Sequence, residues 1–252
     1  DSLPGSALLL NGINSDAQIP ALGIQSNNFT MMAWVKSNAT QSDFAGILFM
    51  RGGSSTSGLS VLTNGDLRYH WNDNGYNWVS KARLIPGEWT HLAMVVTPTS
   101  LTIYKDGVAY TRNDVFAPSV FDSPIAIGAD LNGGARFFRG EIDEVCTYNR
   151  SLSVSEIREI MHLSRSHTAN PGMLSYYQFN EGADKILDKE NSFHGSLGGN
   201  AILIPSTAPI GPGNSLRMDI RTKGTYQFGA TGLTVETEDS GVFPNGELCV
   251  SR

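Results

Sequence analysis

The acidic run from Glu141 to Cys146 holds the side chains best suited to chemistry. Hydrolysis of a glycosidic bond with retained stereochemistry requires two carboxyl groups about 5 Å apart on the same face. In a regular strand Glu144 lies on the opposite face from Asp143, so it cannot complete such a pair. The thiol of Cys146 cannot protonate a glycosidic oxygen at neutral pH. The run is therefore predicted to be non-catalytic.

Oxygen-bearing side chains suggest a second chemistry, the binding of calcium. Ca²⁺ takes roughly six to eight oxygen ligands from carboxylates, amide carbonyls and the backbone. The loop at 127–134 supplies Asp130 and Asn132, and Asp143 together with the opening segment around Asp16 is the other candidate set. The prediction is a calcium ion that is structural or bridges to a ligand. The alternative is that the loop residues only shape turns and that Asp143 caps a backbone amide.

Four aromatic residues flank a loop of asparagine, aspartate and glycine. Such a loop suits sugar binding, because CH groups of a pyranose stack on aromatic rings while amides bond to its hydroxyls. Strand alternation cannot place all four rings on one face, so an alternative stays open in which Trp71 and Trp78 are core residues. The predicted carbohydrate-binding residues are Trp71, Asn74, Tyr76 and Trp78.

The two cysteines, Cys146 and Cys249, permit a single pairing. A disulfide between them would join two parts of the chain and would fit an oxidising compartment. Two buried free thiols are the alternative, and the sequence does not decide the geometry.

Short strand patterns separated by turn residues recur along residues 1 to about 165. Two hairpins are predicted, one at Asn64-Gly65, the dipeptide best suited to a type I′ turn, and one at Asp106-Gly107. Many short strands with a single helix indicate an all-β, antiparallel sandwich.

Residues 138–157 form a predicted strand, a turn and a short helix. Ser153 is the natural N-cap and Glu156 completes a capping box, which places the helix near 153–164. This segment resembles the closing strand and helix of laminin-G-like and pentraxin-like jelly rolls, a branch of the concanavalin A-like lectin/glucanase superfamily. Further motifs resemble the family in the same order, at Asn11-Gly12, Ala33-Trp34-Val35-Lys36, Glu88-Trp89-Thr90-His91 and Tyr104-Lys105-Asp106-Gly107.

The resemblance implies a jelly-roll β-sandwich that acts as an exported, non-catalytic recognition or adhesion module. Its partner would be a glycan or a cell-surface protein. Pentraxin-like relatives place an acidic calcium loop at 127–134, although the loop here is shorter and only Asp130 and Asn132 keep ligand chemistry. Because the first and closing strands are neighbours in such folds, Asp143 is expected near Asp16.

The resemblance also raises an enzymatic alternative. Laminarinase-type glycosidases share this fold and carry the pattern Glu-x-Asp-x-x-Glu on a strand. Glu141 and Asp143 match its first two positions, whereas Cys146 departs from the last. The alternatives to a binding module are thus a concanavalin-like glycosidase or a purely structural spacer or secretion-cargo domain of a large surface protein.

A second part of the chain follows the helix. The apolar run at 174–179 is predicted to pair with a sheet of the jelly roll, supplying an opening strand that Asp1-Ser2-Leu3 is too short to provide. The expected domains are a jelly roll over 1–204, with a core at 1–165 and a strand pair at 173–204 packing back on it. A small β module is expected over 205–252.

Composition limits the partners. The chain has 252 residues and a formal net charge of −6, and no basic stripe for nucleic acid is visible. No apolar run approaches the roughly 20 residues that span a membrane, and no signal peptide precedes the first strand. Because the chain begins at Asp1 without Met, it is expected to be a piece of a longer processed protein, with other modules as neighbours. The predicted localisation is secreted or at the cell surface.

Overall fold

The chain divides into two compact units, residues 1–210 and residues 211–252. A computed structural model describes residues 5–74, 78–132, 134, 136–161, 170–181, 185–190 and 192–210, and the backbone of 225–228 and 233–236. The first unit extends beyond the predicted limit at 204, because Ala208 and Ile210 pack on Trp34. Within the described residues, no helix is both long and apolar enough to cross a membrane.

Short strands make up most of the first unit, as the alternating patterns predict. In chain order the elements are β1 (Ser6–Asn11), β2 (Asp16–Ile19), β3 (Gln25–Ser26), β4 (Phe29–Ser37), β5 (Ala45–Met50), β6 (Ser57–Val61), β7 (Asp66–His70), β8 (Val79–Arg83), β9 (Trp89–Thr97), β10 (Ser100–Lys105), β11 (Val108–Asn113), β12 (Ser119–Val120), β13 (Ile125–Ile127), β14 (Arg139–Tyr148), α1 (Val154–Ile160), β15 (Met173–Tyr177), β16 (Lys185–Ile186), β17 (Gly195–Gly198) and β18 (Ile202–Pro205).

Two eight-stranded antiparallel sheets form the sandwich. The first has the order β11-β10-β9-β4-β14-β1-β18, with β15 beside β14, and the second has the order β16-β17-β2-β13-β5-β6-β7-β8. The core lies between them and combines residues such as Leu8, Val35 and Ile142 of the first sheet with Ile47 and Leu59 of the second. The predicted jelly-roll sandwich is confirmed.

The two predicted hairpins form with different turns. At the tip between β10 and β11, Asp106 and Gly107 have φ values of 50° and 72°, as a two-residue type I′ turn requires. Between β6 and β7 only Gly65 has a positive φ, and its N–H donates to the carbonyl of Leu62. That loop is a three-residue turn with a bulge, so the type I′ prediction for Asn64-Gly65 is wrong.

The helix α1 begins at the predicted cap. The Ser153 side chain accepts from the Glu156 backbone N–H, and the Glu156 side chain accepts from the Ser153 N–H, which is a capping box. Ile157 faces Met32 and Cys146 on the outer surface of the first sheet. The end predicted near 164 lies outside the described residues.

The segment after the helix adds strands to both sheets. β15 pairs with residues 145–148 of β14, whereas β1 pairs with residues 139–142 on the same side of that strand. β15 therefore follows β1 end to end along the same edge of β14, and it does not replace an opening strand. β18 extends the first sheet beyond β1, and β17 pairs with β2 in the second sheet.

In the second unit, β19 (Thr225–Phe228) and β20 (Leu233–Glu236) form an antiparallel pair. Apart from these two strands, the predicted small β module beyond residue 210 lies outside the described residues.

Candidate functional site

The acidic run in β14 contains a bulge that the sequence did not reveal. Pairing with β4 shifts register between Asp143 and Cys146, and Glu144 has a φ of 51°. Ile142 and Val145 both belong to the core, so the two residues between them turn to the outer face. The prediction that Glu144 and Asp143 lie on opposite faces is wrong, because the strand is not regular at this point.

The carboxylates of this run make structural contacts. Glu141 forms an ion pair of 2.8 Å with Lys36. Asp143 is 0% exposed and accepts from the Ser206 hydroxyl at 2.6 Å and from the Glu144 backbone N–H at 2.8 Å. The Tyr176 hydroxyl donates to Glu144. These contacts hold the carboxylates in place beneath covering segments.

The structure separates Asp143 from Asp16. Asp143 faces outward from the first sheet, whereas Asp16 begins β2 in the second sheet and accepts from the Gln18 side chain at 3.0 Å. The expected neighbourhood is wrong, because β14 pairs with β1, β4 and β15, whereas β2 belongs to the other sheet. The described ranges contain no group of three or more His, Cys, Asp or Glu side chains arranged to hold a metal.

Asp130 lies between two arginines. Its carboxylate accepts from Nε and Nη2 of Arg51, both at 2.7 Å, and from Nη1 of Arg136 at 2.8 Å. Two guanidinium groups already balance the carboxylate charge and would repel a divalent cation. Asp130 in this arrangement does not fit a calcium ligand, while Asn132 is exposed beside it.

The predicted sugar-binding residues do not form one aromatic surface. Trp71 is 2% exposed, packs against Phe29 and Phe121, and donates from Nε1 to the Ala117 carbonyl at 2.8 Å. Its ring is a core ring and offers no face to a ligand.

The remaining residues of that prediction lie near the loop tip. Trp78 is half-buried and packs on Tyr69, with ring centroids 5.3 Å apart. Asn74 is exposed and closes a tight turn with Trp71. Tyr76 lies outside the described residues, and a sugar contact at Asn74, Tyr76 or Trp78 stays a prediction.

Cys146 is buried, and it forms no disulfide within the described part of the chain. Burial raises the pKa of its thiol well above the ordinary value. Its predicted partner, Cys249, lies outside the described residues, so the disulfide stays a prediction.

A pocket that the sequence analysis missed lies on the outer face of the second sheet. In β7, Leu67 and Tyr69 join the core, which turns Arg68 and His70 outward by strand alternation. The pocket has a volume of about 200 Å³. It is lined by Phe44, Phe49, Arg51, Ser60, Arg68, Tyr69, His70, Asp130, Asn132 and Arg136.

Guanidinium groups of arginine lie over the aromatic rings of this pocket. The central carbons of Arg68 and Arg136 lie 4.8 and 4.9 Å from the centre of the Phe44 ring. Arg51 lies over Phe49 at 5.2 Å. Phe44 has a φ of 63°, a left-handed conformation that costs a bulky residue about 1–3 kcal/mol. The strain is offset by contacts that place the ring between two arginines.

Two glycines let the pocket walls approach the sheet. A Cβ at Gly46 would lie 2.2 Å from the backbone carbon of Ala129 and 2.3 Å from the backbone nitrogen of Asp130. A Cβ at Gly58 would lie 2.6 Å from the ring of Phe49. Because these positions carry no side chains, the Asp130 loop can approach Gly46 and the Phe49 ring can approach Gly58.

Burial lowers the pKa of two side chains that line the pocket. Burial lowers the pKa of the Arg68 guanidinium, and the carboxylate of Asp43 opposes that shift. Burial and the nearby Arg51 charge lower the pKa of His70. His70 is therefore held neutral at pH 7, while the arginines remain charged.

The signal for this pocket was present along β7 but was overlooked. An arginine and a histidine alternate with core residues there, which marks an outward polar stripe. Arg136 lies six residues after Asp130 in the same loop, whereas Arg51 is 79 residues away and no spacing rule brings it to Asp130.

The chain matches a laminin-G-type family model, described as the concanavalin A-like lectin/glucanases superfamily, over residues 11–158, more than half of its length. The chain belongs to this family. The match covers β2 to β14 and every residue that lines the pocket of this laminin-G-like chain, whereas β15 to β18 lie beyond it.

Solved structures share the fold at low identity. A candidate carbohydrate-binding protein from Bacteroides ovatus is 17% identical with a TM-score of 0.60, and the match covers 82% of this chain and 62% of that one. This laminin-G-like chain thus spans less than two thirds of that relative. A heptameric SAP-like pentraxin from Limulus polyphemus is 12% identical with a TM-score of 0.59, covering 82% and 98% of the two chains. Domains LG4-5 of mouse laminin alpha1 are 15% identical with a TM-score of 0.47, covering 61% and 44%.

Proposed function

We propose that this protein is a non-catalytic recognition module that binds carbohydrate through the outer-face pocket of its second sheet. The observation that carries the proposal is one preformed pocket in which guanidinium groups over the Phe44 ring stand beside the hydrogen-bonding groups of Asn132 and His70. Apolar surface with a few convergent polar groups is the usual composition of a ligand pocket. Similarity to a candidate carbohydrate-binding protein supports this choice. The setting would be extracellular, secreted or at the cell surface.

The pocket is suited to one unit of a ligand. Its volume of about 200 Å³ is below the roughly 300–1,000 Å³ of pockets that enclose drug-sized molecules. Neighbouring units of a longer glycan would then lie along the sheet surface outside the pocket.

The buried acidic run supports a binding role over a glycosidase. Cys146 stands where the glycosidase pattern requires an acid, and Asp143 is engaged by Ser206 under the covering segments. Incubation with a β-glucan is expected to release no reducing sugar, which provides an enzymatic control for the binding experiment.

The test is a glycan-array screen of the whole protein, followed by titration calorimetry with the best ligand. Phe44→Ala is expected to weaken binding by about tenfold or more, because it removes the ring that supports both arginines. Thr40→Ala is the matched control, since Thr40 lines a separate groove with Ile13 and Arg139. Absence of binding to any glycan, or binding unchanged by Phe44→Ala, would overturn the proposal.

The calcium prediction enters the same screen through an arm with excess chelator. Sugar binding at the pocket is expected to persist there, because arginines occupy the Asp130 carboxylate. If Asp16 or Asp143 holds calcium elsewhere, chelation lowers the melting temperature, since a ligand bound only to the native state stabilises it.

A further inference from the structure

We propose that the sugar unit bound in this pocket carries a negative charge, a carboxylate or a sulfate, and that Arg68 selects it. The inference rests on the proposed function and specifies its ligand class. It follows from the balance of charges in the pocket and from the hydrogen bonds that Arg68 makes.

The pocket is positively charged on a negatively charged protein. Three guanidinium groups line it, from Arg51, Arg68 and Arg136, against the single carboxylate of Asp130. Two exposed carboxylates lie nearby without lining the pocket: Asp43, which acts on Arg68 and accepts from the hydroxyl and the backbone N–H of Thr63, and Asp73, which acts on His70. The whole chain has a formal net charge of −6. A local excess of positive charge in such a chain attracts an anionic group to this one place.

Of the three pocket arginines, Arg68 is the one whose fork binds no carboxylate of the described residues. It is 8% exposed, and within the described part of the chain its buried Nε has no hydrogen-bond partner. A largely buried guanidinium without an anionic partner is costly, and an oxyanion bound in the pocket that it lines reduces that cost. The planar fork of arginine matches carboxylate and sulfate oxygens in a bidentate manner.

Asp130 is a positioning residue in this arrangement. It binds Arg51 through two N–H groups and Arg136 through one, which leaves donors of both side chains for a ligand. Arg136 also lies over the same Phe44 ring as Arg68. The fixed guanidinium groups form a wall of donors whose places do not depend on the ligand.

The alternative is that the arginines only cover the two phenylalanine rings and stabilise the sheet surface. A covering role does not distinguish an anionic sugar from a neutral one. The comparison of matched sugars therefore separates the two interpretations.

The experiment measures binding of the whole protein to glucuronate, glucose 6-sulfate, glucose and inorganic sulfate by titration calorimetry. We expect the charged sugars to bind at least about tenfold more tightly than glucose, with affinity that falls as salt rises. The two charged sugars distinguish a carboxylate from a sulfate as the preferred group. Inorganic sulfate that binds as tightly as either charged sugar would overturn the inference, because the site would then recognise an anion alone.

The variants are Arg68→Gln, Arg68→Lys and a control, Arg112→Gln. Arg68→Gln is expected to abolish the preference for charged sugars, and Arg68→Lys to restore it in part, because lysine keeps the charge but not the fork. Arg112 is half-buried on β11 of the other sheet, pairs with Asp114 and does not line the pocket, so its replacement should leave the preference unchanged. If Arg68→Gln does not fold, Arg51→Gln provides the second variant, since Arg51 is more exposed.

The outcomes separate this inference from the proposed function. Glucose bound as tightly as glucuronate, with no effect of the Arg68 and Arg51 variants, would overturn the inference and leave carbohydrate binding intact. No binding of any glycan on the array would overturn the proposed function itself.

Discussion

Single residues of the same type have different roles here because their surroundings differ. Asp143 and Asp130 were both candidate calcium ligands. The first accepts hydrogen bonds from Ser206 and its own chain, and the second from Arg51 and Arg136. Each carboxylate is already satisfied by a protein donor, which buried carboxylates require. The local partners, not the residue type, determine what each can bind.

His70 predicts a dependence of stability on pH. Its pKa is lowered in the folded protein, so below the ordinary value of about 6.5 the unfolded chain takes up the proton first. The contribution of the neutral side chain is present above that pH and is lost as the pH falls through the folded pKa. We expect the free energy of unfolding to decrease between pH 7.5 and 5.5, and to decrease less in His70→Gln.

Urea denaturation at the two pH values measures this difference. The wild type and the variant share every other titrating group. The difference between their changes in unfolding free energy from pH 7.5 to 5.5 therefore isolates the contribution of His70. Equal changes in the free energy of unfolding in the two proteins would show that folding does not lower the pKa of His70.

At the level of elements, irregular backbone positions determine where side chains point. The bulge in β14 brings Glu144 to the outer face and marks the place where β1 ends and β15 begins beside the same strand. A bulged residue is left out of the ladder and bends its strand. The inserted residue therefore divides one edge of β14 into two parts. β1 pairs with the part before the bulge, and β15 pairs with the part after it.

The close contact between Gly46 and the loop that carries Asp130 predicts the effect of adding a methyl group at Gly46. Gly46→Ala places a Cβ against the backbone of Ala129 and Asp130, which must move away. We expect the free energy of unfolding to fall by about 1–3 kcal/mol and sugar binding to weaken, because Asp130 then no longer positions the arginines. Gly134→Ala is the control in the same loop, since its Cβ meets nothing closer than 3.8 Å.

Chemical denaturation and calorimetry measure the two effects separately. Gly46→Ala with wild-type stability and affinity would contradict the geometry of this loop. A loss of binding in Gly134→Ala would show that the loop responds to any substitution.

On the scale of the whole molecule, the segment after the helix completes both sheets. β15 and β18 extend the first sheet, and β17 extends the second beside β2. Exposed strand edges are sites of aggregation, and these additions cover edges that residues 1–161 would leave open. The jelly roll and the segment after the helix therefore form one unit.

Truncation tests that unity. A chain of residues 1–210 is expected to melt cooperatively, because β15 to β18 pair within it. A chain that ends at residue 166 should lose solubility, since the edges of β14, β1 and β2 become free. Calorimetry and the soluble fraction on expression measure the two chains side by side. A soluble 1–166 chain that melts at the temperature of the 1–210 chain would contradict this account.

The elements that depend on local interactions were predictable from the sequence. The capping box at Ser153 and Glu156, the hairpin at Asp106-Gly107 and the strands of the sandwich follow from periodicity and turn chemistry within a few residues. The family resemblance over the same strands is confirmed by the match to residues 11–158. Such features form because neighbours along the chain dictate backbone conformation.

Only the tertiary structure determined the candidate site. Arg51 and Arg136 meet at Asp130, and Arg68 and Arg136 meet at Phe44, because glycines at 46 and 58 let distant segments cross the same sheet face. Trp71 becomes a core residue, and the bulge at Glu144 moves a carboxylate to the other face of its strand. A spacing rule describes positions along one strand, whereas a pocket depends on the register between strands and on the space that packing leaves.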